Sequence, residues 1–219
     1  MSVYPVAREA WETGAEKSGS NTESPHGIST RKHGMTSLSR TRSDRSADIA
    51  AIALRATLGP MLIAHGWNKI AGPGGIEGTT RWFGSLGLRP AAVHARMAAA
   101  GEIAAGTGLV LGLANPLPAA ATVGLMSVAA ATDHRGKGFF VFKGGWEYLG
   151  VVAGTAVALA GLGHGRFSID GLRGRRRSGL RPAVAAAALG SAAAGALLTL
   201  CYRPAPPDDA AADVATADS

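Results

Sequence analysis

A single cysteine, Cys201, stands among the 219 residues. One thiol excludes an intramolecular disulfide, a C-x-x-C redox pair and a cysteine-rich zinc site, and it disfavours a disulfide-generating enzyme, which needs at least two. No Gly-rich turn joins a strand to a helix, so no intrinsic flavin or nicotinamide cofactor is expected. No apolar run precedes residue 48, which argues against a cleaved signal peptide; the first apolar stretch reads as an anchor instead. Aromatic residues are few, at 5%, and the 47% hydrophobic content is ordinary as a chain average.

The average conceals a sharp partition. Residues 1–47 are polar and rich in Ser, Thr and Arg, and residues 203–219 are acidic and rich in Pro and Ala. Both read as disordered tails, because such compositions bury too little apolar surface to offset chain entropy. Met35 is an alternative initiator that would shorten the first tail and leave the helices intact. Between the tails lie five apolar runs: Ile49–Ile70, Ala91–Leu113, Leu117–Thr132, Gly144–Leu162 and Pro182–Tyr202. Spanning a bilayer takes about 20 apolar helical residues, and local thinning can accommodate a shorter run such as the third. Backbone in lipid must satisfy its own hydrogen bonds, and long apolar runs lack the alternation of a barrel. The expected fold is all-α: a polytopic membrane bundle with four core spans in residues 48–172, then a basic loop and a fifth span in 173–202. A short interfacial helix is expected at Thr79–Leu88, where Trp82, Phe83 and Leu86 share a face.

Basic residues outnumber acidic ones, 22 to 15. The Arg-Gly-Arg-Arg-Arg run at 173–177 lies between two apolar spans, so the positive-inside rule accounts for it without nucleic acid. With the N-terminus in the cytoplasm, thirteen Lys and Arg fall on the cytoplasmic side and seven outside. A multi-pass protein of the bacterial plasma membrane, N-terminus in and C-terminus out, is therefore expected. Gly108/Gly112 and Gly150/Gly154 are spaced four apart, a pattern that lets helices approach closely in lipid.

Ionisable side chains inside spans are costly and mark candidate functional positions. Arg55 in the first span and Glu102 in the second are expected to pair across neighbouring helices. His65 and Lys69, four apart, share a face at the far end of the first span. Alternating topology brings His134 and Glu147 to that same layer. Eight of the twelve aromatics lie there too, among them Phe83 and Trp146. An interfacial aromatic belt explains these rings as well as a pocket does. Taken together, His65, Lys69, His134 and Glu147, walled by Trp146 or Phe83, form a candidate site for a quinone, which needs apolar walls and proton donors at its carbonyl oxygens. A metal held by His65, His134 and Glu147 is a weaker alternative, and no metal is assigned.

The ordered set of residues resembles the DoxX family of small bacterial membrane proteins. The resemblance runs from about Leu54 to Leu172. It rests on Arg55 followed by Leu58-Gly59, His65-Gly66-x-x-Lys69, Trp82-Phe83-x-x-x-Gly87-Leu88, Glu102, Ala131-x-x-His134, Gly144-Gly145-Trp146-Glu147-Tyr148 and Gly163-x-Gly165-x-x-Ser168-x-Asp170. It implies a four-helix membrane bundle and, as in some relatives, a link to quinone-coupled sulfur oxidation or to membrane oxidative-stress assemblies. The long N-terminal tail and the span after Pro182 depart from the family pattern. Two functions follow as expectations: a quinone-binding subunit of a membrane redox system, with other membrane redox proteins as partners, or a non-catalytic scaffold that stabilises partners.

Overall fold

The computed structural model describes residues 32–204, and the tail segments 1–31 and 205–219 lie outside them. The helices are α1 (Lys32–Ala71), α2 (Gly75–Ser85), α3 (Ala91–Leu111), α4 (Leu117–Thr132), α5 (Glu147–Leu162), α6 (Ile169–Leu172) and α7 (Leu180–Cys201), with a 3-10 turn at Val141–Lys143. Among the described residues there is no strand, only one isolated antiparallel bridge between Leu88 and Tyr202. The helical bundle belongs to the compact unit that begins at Arg40.

The five expected runs coincide with α1, α3, α4, α5 and α7, with shifts at their ends. Residues 32–47, expected to belong to a disordered tail, are helical, so α1 starts well before its apolar run. The second run stops at Leu111 because Gly112 turns left-handed, with φ 61°. A Cβ there would stand 3.0 Å from the Arg55 guanidinium carbon and still closer to Ser168, so the position requires glycine. α4 opens with Leu117-Pro118, where a missing N–H costs nothing.

Two segments are long and apolar enough to cross a membrane, the 27 residues Arg45–Ala71 and the 22 of α7. α3 has 21 residues but carries His94, Arg96 and Glu102. α4 and α5 have 16 residues each, or about 24 Å at the helical rise, against a hydrocarbon layer of about 30 Å.

Small residues set the helix crossings. A Cβ on Gly59 of α1 would lie 2.9 Å from the Gly106 carbonyl of α3, and one on Gly66 would lie 2.7 Å from the Ala99 carbonyl. On the other side of the bundle, a Cβ on Gly190 of α7 would stand 2.5 Å from the Ala120 carbonyl of α4. The spaced glycines that drew notice in the sequence behave differently. Gly108 meets the Pro118 ring, Gly150 meets only Trp146, and a Cβ on Gly154 would find open space. The core between these crossings is built from Leu58, Leu62, Leu109, Val152, Ala156 and Leu159. Val151 of α5 and Val184, Leu189 and Leu200 of α7 point outward and are exposed.

Candidate functional site

A cavity of about 350 Å³ opens toward the C-terminal end of α1. Leu62, His65 and Lys69 line it from α1, and the three fall on one face because they are spaced three and four apart. His94, Ala98 and Glu102 line it from α3 by the same periodicity. α2 closes it with Trp82 and Phe83, whose rings meet edge to face at 5.2 Å. Asp133 and His134 close α4's end of the cavity, Tyr148 and Leu149 enter from α5, and Leu197 enters from α7.

Its most polar feature is an ion pair. Lys69 Nζ donates to Glu102 Oε2 at 2.7 Å, with both side chains largely buried. Glu102 is carried deep in α3, and Lys69 reaches it from the last turn of α1. His94 is buried beside them. Its Nε2 lies 3.2 Å from the Arg89 carbonyl oxygen, while its Nδ1 has no hydrogen-bond partner. His134 is fixed through Nδ1 by the Gly144 carbonyl, and its Nε2 stands 3.6 Å from an Asp133 carboxylate oxygen. The exposed His65 ring lies 6.4 Å from that of Tyr148, whose hydroxyl donates to Met61 Sδ at 2.9 Å.

Of the six residues expected to form a site, four gather here: His65, Lys69, His134 and Phe83. Glu147 and Trp146 do not line the cavity. The Glu147 carboxylate turns back to accept from the Val141 main-chain N–H at 3.1 Å, and Trp146 is half exposed against Phe139. Glu102 takes the place foreseen for Glu147. His94, Asp133 and Tyr148 were not among the expected site residues, although Tyr148 belongs to the family-like Trp146-Glu147-Tyr148 run and the spacing of His94, Ala98 and Glu102, each four apart, already places both polar groups on one helical face. Among the described residues, no three His, Cys, Asp or Glu side chains cluster as metal ligands.

The expected Arg55–Glu102 pair is corrected by the same geometry. Arg55 spends its donors on carbonyl oxygens: Nε on Leu109 at 3.0 Å, Nη2 on Val110 at 2.6 Å, and Nη1 on His164 and Phe167 at 2.9 and 2.8 Å. Leu109 and Val110 belong to the last turn of α3, where carbonyls lack intrahelical partners and carry the negative end of the helix dipole. A guanidinium can thus be satisfied in the interior without a carboxylate. Around it, Asp170 accepts from the Asn115 main-chain N–H at 2.9 Å, and the Asn115 amide donates to the Ala160 and Arg177 carbonyls, each at 2.9 Å. Asp48 accepts from the main chain and Nε of Arg166 at 2.8 and 2.6 Å. Ser168 caps α6 by accepting from Gly171 N–H at 2.9 Å. The Gly163, Gly165, Ser168 and Asp170 pattern is therefore a stapled turn against the middle of α1, at Asp48 and Arg55.

Residues 50–135 match the family model described as DoxX. The match covers less than half of the chain; together with the two membrane-length apolar helices among the described residues, it points to a membrane protein. No curated protein and no solved structure matches it. The DoxX match holds Arg55, Lys69, His94, Glu102 and His134, but it ends before Tyr148, Leu149 and Leu197. The cavity wall is thus completed by helices that follow the matched segment.

Proposed function

We propose that this DoxX-like protein binds a quinone in the cavity between α1, α2, α3 and α4, as a subunit of a membrane redox or oxidative-stress system. The observation that carries the reading is the combination of an apolar cavity of about 350 Å³ with the buried Lys69–Glu102 pair and the unpartnered His94 Nδ1 on its wall. Buried polar groups without partners are rare in folded proteins, and a ligand that supplies one recovers the lost hydrogen bond. A quinone offers a flat apolar ring for Trp82, Phe83 and Leu62 and carbonyl oxygens that accept from Lys69. Its reduced quinol form offers a hydroxyl that donates to His94 Nδ1, the acceptor nitrogen of a ring whose Nε2 faces the Arg89 carbonyl. These residues bind and supply protons; electrons come from a partner protein. In this reading α1, α3, α4 and α5 are four core spans and α7 a fifth, in the bacterial plasma membrane with the N-terminus cytoplasmic and the cavity toward the outer surface.

The test is titration of the purified protein with a short-tailed quinone analogue, oxidised and reduced, followed through tryptophan fluorescence, with Trp82→Phe assigning the response to the cavity wall. Saturable quenching is expected. His94→Leu should weaken binding of the reduced quinol form about tenfold, the equivalent of one hydrogen bond to a buried group. Glu147→Gln, outside the cavity, should leave binding unchanged. Absence of saturable binding in the folded wild type would leave a non-catalytic scaffold as the better account.

A further inference from the structure

The opposite end of the bundle carries a second cavity that the quinone reading does not use. It measures about 180 Å³ and is lined by Ala47 and Asp48 of α1, the end of α5 and the loop from Gly163 to Ser178, including His164, Asp170 and Arg175 to Arg177. The carboxylates there are engaged: Asp48 by Arg166, and Asp170 by the Asn115 main chain. The side chains of Arg175 and Arg176 make no hydrogen bond or ion pair among the described residues, although Arg176 contributes to the field at Asp48. Positive charge therefore remains in excess. His164 is 4% exposed, and neither ring nitrogen has a hydrogen-bond partner. Nδ1 stands 3.6 Å from Asp170, too far for a good bond.

The backbone of this loop is held in place before any ligand arrives. Arg175 N–H donates to the Asp170 carbonyl at 2.8 Å, Gly179 N–H to Gly161 at 2.6 Å, and the Arg177 carbonyl accepts from Asn115. The guanidinium groups are thus presented from a fixed frame, which lowers the ordering cost of binding. The uncapped N-terminus of the 22-residue α7 follows directly, with Ser178 on the cavity wall, and its dipole adds to the attraction for an anion. Phe167, Leu172 and Leu180 are strongly exposed beside the arginines. Apolar side chains interleaved with arginines suit the headgroup layer of a membrane.

We infer that Arg175, Arg176 and Arg177, with the buried His164 behind them, form a binding site for a phosphate group. Arginine forks match phosphate oxygens, and a neutral imidazole N–H supplies a further donor. At a membrane surface the phosphate belongs to an anionic lipid headgroup or to free phosphate in solution, and the same donors would serve both.

The experiment measures the thermal unfolding midpoint of the full chain in a neutral detergent, titrated separately with short-chain phosphatidic acid and with inorganic phosphate. Potassium chloride at matched ionic strength and short-chain phosphatidylcholine are the controls. A saturable rise with phosphatidic acid alone identifies a lipid headgroup; a rise with inorganic phosphate identifies a free phosphate group. In either case the double variant Arg175→Gln/Arg176→Gln, altered only at exposed side chains, should raise the half-saturating concentration at least about tenfold. The inference is overturned if neither probe exceeds the chloride control, or if the double variant responds as the wild type does. The quinone titration reads the other cavity, so either result stands without the other.

Discussion

At the scale of single residues, the buried charges are resolved by whichever partner reaches them first. Lys69 enters from a helix end and takes Glu102, while Arg55, two turns into the apolar run, takes four main-chain carbonyls. The long lysine stem lets a charge anchored near the interface reach inward, and the five-donor guanidinium lets arginine replace solvent with peptide groups. Removing one member of a buried pair leaves an uncompensated charge. Lys69→Met should therefore destabilise the bundle by about 3–5 kcal/mol, whereas Lys69→Met/Glu102→Leu should recover most of that loss. Reversible denaturant unfolding of the detergent-solubilised protein reads both. Independent, additive effects of the two substitutions would show that the pair is not coupled.

At the scale of elements, α2 and the loop after α5 have roles that exceed those of connectors. α2, expected as an interfacial helix, also lines the cavity through Phe83 and Trp82. The loop after α5 folds back on α1 through Asp48 and Arg55, and it carries a pH response. Burial, the largest influence, lowers the His164 pKa from its usual value near 6.5; the neighbouring Asp170 opposes that effect and Arg55 reinforces it. A depressed folded-state value means that the unfolded chain binds the proton more readily. Neutral His164 therefore contributes stability above about pH 6.5. That contribution is lost as the pH falls from the unfolded toward the folded value. For Asp170, burial acts to raise the pKa, but main-chain N–H groups of Asn115 and Ala114 together with His164 bring it below the ordinary carboxylate value. Its contribution persists to lower pH and is lost only as pH falls below about 3.9. The unfolding midpoint should drop between pH 7.5 and 5.5, and His164→Gln should flatten that drop. An unchanged slope in the variant would assign the response to other groups.

At the scale of the whole molecule, the two cavities sit at opposite ends of one helical bundle, and the lone cysteine offers a direct test of its orientation. Cys201 closes α7 beside the Leu88–Tyr202 bridge, where Arg89 N–H donates to its carbonyl at 2.8 Å. With the N-terminus inside and five spans, Cys201 faces outward. A membrane-impermeant maleimide should then label it in intact cells as fully as in permeabilised ones. Labelling that requires permeabilisation would invert the proposed orientation.

Much of this molecule follows from local chemistry. Apolar runs too long and too continuous for strands define the helices, because a helix bonds its peptide groups within its own segment. Glycine at 112 and 163 marks where two of those helices stop. Helical spacing places His65 with Lys69, and it equally places His94 with Glu102, so one wall of the cavity was legible on each of two helices. Which carboxylate joined them was not: Glu147 and Glu102 are both plausible from spacing alone, and the choice depends on how α3 and α5 rotate about their axes. For α3 that rotation is decided by contacts far apart in sequence, Gly59 on Gly106 and Gly66 on Ala99, whose close backbone approach sets the face it turns to α1. Arg55 depended on the same fact. The chain announces that a charge lies in the bundle, but only the tertiary structure brings the end of α3 and the loop at His164 to it, because a carbonyl oxygen is present at every residue and no sequence pattern distinguishes the four that accept.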